Sequence, residues 1–166
     1  MEIRDVGGIR FLRLEPFSYQ FAAVRGDPFD DNWLVVNGKA RSDSEQWRFQ
    51  EPCLLVGEAL ALSEWLRRVA SGDAEPMAPD DAGRLRPTVE HVEPNVGFGL
   101  VRFAADLVVL RVFLWLESGP PSARTESRDP DMEWFMDLAV PPAALRAAAA
   151  AWDVELERFP QRAAGR

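Results

Sequence analysis

The stretch 107–116, Leu-Val-Val-Leu-Arg-Val-Phe-Leu-Trp-Leu, constrains the fold more than any other part of the chain. It is rich in β-branched and aromatic residues and is apolar at both parities. Val108, Leu110, Val112, Leu114 and Leu116 point one way, and Leu107, Val109, Phe113 and Trp115 the other. A strand that is apolar on both faces belongs in the middle of a sheet, covered on both sides. The stretch is too short, and too interrupted by Arg111, to span a bilayer. The rest of the chain must therefore supply neighbouring strands and something to cover them.

The first third supplies strands. Segments 9–14 and 17–21 flank Glu15-Pro16, which reads as a turn or bend. A polar turn over 25–31 precedes a strand at 32–40. Segment 46–50 alternates with period two and pairs with that strand as a hairpin, and Pro52 is expected to end it. Segments 88–92, 96–103 and 132–140 read as further strands. Gly97 and Gly99 mark bulges or close packing.

Two helices cover the sheet. Leu55, Ala59, Leu62, Leu66 and Val69 form a helical stripe over 55–69, stopped by Ser71-Gly72. Pro141-Pro142 opens a second helix whose Leu145, Ala148, Ala149, Trp152, Leu156 and Phe159 share a face. Pro160 closes it. The order strands, helix, strands, helix, with short polar turns between neighbouring strands, defines an α+β fold. Its sheet is mainly antiparallel and free to curve. With 166 residues the expectation is a single domain over 1–160 and a frayed C-terminal tail over 161–166.

Little in the sequence points to catalysis. One histidine and one cysteine exclude a multi-histidine or cysteine-rich metal site. Cys53, between Pro52 and Leu54, reads as a buried apolar residue. His91, flanked by Glu90 and close to Glu93, reads as a sheet-face histidine bonded to a carboxylate. Gly97-Phe98-Gly99 runs into a strand, so it is no dinucleotide loop. Asp27, Asp30 and Asp31 lack the spacing of a calcium loop. No cofactor is called for, and the chain reads as a binding protein rather than an enzyme.

The net charge of −8 argues against nucleic acid as the partner, because phosphate binding is driven by Lys and Arg. The charged N-terminus has no apolar core of a signal peptide, which sets the expectation of a cytoplasmic protein with no membrane association. Core packing accounts for most of the six tryptophans. Trp33 and Trp47 are the exceptions, because their neighbours are polar, and they read as exposed anchors.

Several segments together carry a resemblance. They are Asp31-Asn32-Trp33-Leu34-Val35-Val36, Trp47-Arg48-Phe49 with Pro52-Cys53-Leu54, the helix from Glu58 to Trp65-Leu66, Glu93-Pro94-Asn95-Val96-Gly97-Phe98, and the closing helix ending in Phe159-Pro160. In this order they resemble the WapI-like immunity proteins and related small bacterial proteins. The resemblance implies a non-enzymatic inhibitor that binds a bacterial toxin domain, and it carries over no catalytic residues. A toxin with a basic groove would be met by an acidic surface. Asp27, Asp30, Asp31, Trp33, Glu90 and Glu93 are the candidate contacts. Two other readings stand beside this one. One is a small-molecule binding module with a tryptophan-lined pocket, and the other is an enzyme using His91.

Overall fold

The computed structural model describes residues 1–104, 106–124 and 134–162. Four strands build the first sheet: β1 (Glu2–Arg4), β2 (Phe11–Tyr19), β3 (Trp33–Arg41) and β4 (Gln46–Leu55), in the order β1-β2-β3-β4 and antiparallel throughout. Three build the second: β5 (Val96–Phe103), β6 (Val108–Leu114) and β7 (Phe135–Val140), also antiparallel, with β6 in the middle. Between the strands lie α1 (Val56–Ser71), the short α2 (Pro121–Arg124) and, after β7, α3 (Pro142–Leu156). The α+β class, the antiparallel pairing and the order of elements agree with the sequence reading.

The single expected sheet is in fact two. No strand is common to both, and they meet where the end of β1 reaches β7. There the Val6 amide donates to the Ala139 carbonyl (2.9 Å), and the Ala139 amide donates to Asp5 Oδ2 (2.9 Å). β1 itself is too short and too charged to show an alternating pattern, so periodicity passes over it.

Both prolines expected to interrupt strands lie inside them. β2 runs through Pro16, with a bulge between Pro16 and Ser18, and β4 runs through Pro52, with the register shifting at Cys53. Bulges and edge strands are where a residue without an N–H is tolerated, and β4 is an edge strand. The expected strand over 88–92 is reduced to one bridge, Val89 to Phe98. Leu116 leaves the strand assigned to it: at φ 50° it stands in a 3-10 turn, 58% exposed. The second face of β6 is less covered than its pattern implied, since Val109 and Arg111 are only half-buried while Phe113 is buried. Of the expected strand over 132–140, Met132 and Glu133 lie outside the described residues.

One contiguous apolar core joins the inner faces of both sheets to the helices. α1 buries Ala59, Leu62, Trp65, Leu66 and Val69. It ends at Gly72, whose φ of 80° is the left-handed cap that glycine favours. At Gly99 the Met77 side chain packs directly on the backbone, its sulfur 2.0 Å from where a Cβ would stand. α3 packs along α1 with Leu145, Ala149, Trp152 and Leu156 inward. Trp152 is fully buried, and its Nε1 donates to the Ala59 carbonyl of α1 (2.8 Å). At the rim, Asp153 of α3 accepts hydrogen bonds from Ser63 and Arg67 of α1.

Two outcomes follow from this packing. Trp152→Ala empties the largest fully buried site and removes the indole hydrogen bond to α1, so urea unfolding should show a loss of about 3–5 kcal/mol. β6 is paired on both sides, so the amides of Leu110 and Val112 should be among the slowest to exchange with solvent deuterium.

Candidate interaction site

The β2–β3 connection is organised by its own carboxylates. Asp27 Oδ1 accepts the amides of Phe29 (2.8 Å) and Asp30 (2.9 Å), the N-terminal donors of a 3-10 turn over Asp30–Asn32. Asp31 is fully buried. Its Oδ1 accepts the Arg25 amide (2.8 Å) and its Oδ2 the Gly26 amide (2.7 Å), so both oxygens are spent holding the loop. Asn32 turns the other way, toward the C-terminal segment. Its Oδ1 accepts the Arg162 amide (2.8 Å), and its Nδ2 donates to the Pro28 carbonyl (2.8 Å).

Arg162 is itself fixed, donating to the Phe21 carbonyl (2.8 Å) and lying 3.5 Å over the Tyr19 ring. These contacts involve the first residues of the segment expected as a tail, and 163–166 lie outside the described residues. The sequence misses this because neither Arg162 nor Asn32 belongs to a periodic pattern.

A second loop is placed by Glu58. At the start of α1 its Oε2 accepts the Leu55 amide (2.8 Å), one of the donors a helix leaves unpaired, and its Oε1 accepts the Val92 amide (2.8 Å). One carboxylate thus ties the end of β4, the beginning of α1 and the loop that carries Glu90 and Glu93. Leu55 pairs with Trp33 across β3 and β4, so both acidic loops belong to the same end of the first sheet.

At that end Asp27, Asp30, Glu90 and Glu93 are exposed and Trp33 is half-buried. Two large apolar side chains are exposed there as well, Phe29 at 54% and Val92 at 60%. Neither stands out in the sequence, since each is a lone apolar residue in a polar loop. Asp31 contributes to this end from inside, as a brace.

Trp47 is not an exposed anchor. It is buried, donates to the Ser118 carbonyl (2.9 Å) and meets Trp134 edge-on at 5.0 Å between centroids. Its polar neighbours Gln46 and Arg48 simply occupy the other face of an alternating strand.

His91 is buried rather than on a sheet face. Its Nδ1 is 4.0 Å from Glu58 Oε2, beyond hydrogen-bond length, and neither ring nitrogen has a hydrogen-bond partner among the described residues. Burial holds its pKa below the ordinary histidine value, with Glu58 pulling weakly the other way. Cys53 is buried too, and desolvation, together with Glu51, Glu58 and Glu93, pushes its thiol up to about 12. A thiol that stays protonated at neutral pH is a poor nucleophile, so no Cys–His chemistry is built here.

Among the described residues no three His, Cys, Asp or Glu side chains gather as metal ligands, and no helix is long and apolar enough to cross a membrane. What this end of the molecule presents is a pair of rigid acidic loops with apolar tips.

The family model of the immunity protein WapI-like family matches residues 3–160, and the chain belongs to that family. No curated protein and no solved structure matches it.

His91 gives this region a pH signature. The folded state prefers the neutral ring, whereas the unfolded chain takes up a proton near pH 6.5. As pH falls through about 6.5 the unfolded state binds more protons than the folded one. Stability is then lost progressively, down to the lower folded pKa. The urea midpoint should therefore drop between pH 7 and pH 5, and His91→Gln should flatten that drop. A wild-type midpoint that does not change over this range would mean that the ring titrates as it does in water.

Proposed function

We propose that this protein, with residues 1–160 acting as one domain in the cytoplasm, is a non-enzymatic immunity protein that binds and neutralises a bacterial toxin domain. The observation that carries the reading is the family match over nearly the whole chain. The acidic loops support it: exposed Asp27, Asp30, Glu90 and Glu93 share their loops with exposed Phe29 and Val92, next to half-buried Trp33. The loops bearing them are braced by the Asp31 and Glu58 carboxylates.

A partner with a basic groove is the complement of this end. Exposed acids steer its approach, and the apolar tips bury against it once docked. Braced loops lose little conformational freedom on binding, so less of the contact energy is offset by ordering.

The experiment is to express the toxin domain encoded beside this gene with and without the protein, and to measure survival and binding kinetics. Survival should depend on the protein. Asp30→Lys with Glu93→Lys should lower the association rate and its salt dependence, as expected for rim charges. Phe29→Ala should act on dissociation instead, raising it roughly 5- to 30-fold if the ring is worth about 1–2 kcal/mol. A cognate toxin that kills equally well with the protein present would defeat the reading.

A further inference from the structure

The outer face of the first sheet runs against the charge of the whole protein. β2 and β3 pair Arg13 with Lys39, and β3 and β4 pair Lys39 with Arg48. Three cations therefore stand side by side in one row across three strands, in a chain of net charge −8 whose only lysine is Lys39. Adjacent strands lie about 4.8 Å apart, so the row spans roughly 10 Å. The next row adds two cations, because β1 and β2 pair Arg4 with Phe11, and β2 and β3 pair Phe11 with Arg41.

The row begins with an acid, since β1 and β2 pair Glu2 with Arg13; Glu2 also bridges Arg4 at 2.7 Å, and Glu15 bridges Arg13 at 3.5 Å. Both are exposed pairs of small energetic value. Among the described residues neither Lys39 nor Arg48 has an ion-pair partner.

Like charges directly opposite on neighbouring strands destabilise a sheet, so folding gains nothing from this row. Protection of an open edge would need a charge on β4 alone, not the same charge continued inward to β3 and β2. The row lines a groove of about 650 Å³, together with Glu15, Asn37, Gly38, Phe49 and Gln50. In the groove Gln50 Nε2 donates to Asn37 Oδ1 (2.7 Å), which leaves neutral amide groups beside the cations.

We propose that this groove binds a carboxylate-rich protein segment in an extended conformation, as a second binding site remote from the acidic loops. Two carboxylates at i and i+2 of an extended chain lie about 7 Å apart, which fits within the span of the Arg13–Lys39–Arg48 row. Nucleic acid fits less well. The aromatic ring lining the groove, Phe49, belongs to the core, and Phe11 lies beneath Arg4 and Lys39, so no ring is offered to a base. The net charge of −8 also opposes a dense phosphate chain, whereas a short segment with two or three carboxylates feels mainly the local row. The proposal does not rest on the immunity reading, since it follows from the groove alone.

The test uses the full-length protein and a fluorescein-labelled peptide with glutamate at alternate positions, followed by anisotropy at about 0.15 M salt. Its controls are the same peptide with glutamine, and a single-stranded oligonucleotide of equal length. The glutamate peptide should bind and the glutamine peptide should not. Amide shifts should be concentrated on β2, β3 and β4.

Lys39→Gln and Arg48→Gln should each weaken binding about tenfold or more, the scale of one lost charged hydrogen bond. They should leave the urea midpoint unchanged or raised, since each removes repulsion. The proposal is overturned if the glutamate peptide fails to bind, or if the oligonucleotide binds more tightly. It is likewise overturned if both variants lower stability, or if the protein self-associates through this face in a salt-dependent manner.

Discussion

Two sheets that share no strand must be held together by side chains, and the structure depends on one continuous core to do this. Its inner face is filled from both sheets and from the α1–α3 pair. Among the described residues the backbone hydrogen bond that links them is Val6 to Ala139. Asp5 makes that junction possible. Its Oδ1 accepts the Gly7 amide (2.8 Å), turning the chain after β1, while its Oδ2 accepts the Ala139 amide of β7 (2.9 Å). A buried carboxylate is costly unless satisfied, and here each oxygen has a backbone donor.

The same device recurs at the acidic loops. Asp31 spends both oxygens on the consecutive amides of Arg25 and Gly26, and Glu58 spends its two on the amides of Leu55 and Val92, which are far apart in the chain. Three acids that add to the negative total are thus structural, because backbone N–H groups at turns and helix starts need acceptors and the chain supplies carboxylates. Asp30, Glu90 and Glu93 are exposed on the loops these braces hold. Net charge alone gives no hint of this division.

Nor does it reveal the polarity of the surface. Acids gather at the loop end, where β3 begins and α1 starts, while Arg13, Lys39, Arg41 and Arg48 occupy the outer face toward the other end of β3 and β4. Screening over about 10 Å at moderate salt keeps the two fields distinct.

The sequence by itself determined the elements whose pattern is dense. The stretch around β6 is apolar at both parities, which makes it a central strand. The stripe from Leu145 to Leu156 can only be a buried helix face, because local periodicity and burial demand the same thing there. The family was legible in the same way, from short segments spread along the chain.

What tertiary structure alone decided is whatever depends on register and distant partners. Alternation made Arg13, Lys39 and Arg48 outward-facing, but only the pairing of three strands set them in one row. Nothing local distinguishes Asp31, buried under two amides, from Asp30, which is exposed, or shows that Trp47 reaches the Ser118 carbonyl rather than solvent. Pro16 and Pro52 read as breaks because a missing N–H is a local fact. That a bulge and an open edge make them harmless is a property of the assembled sheet.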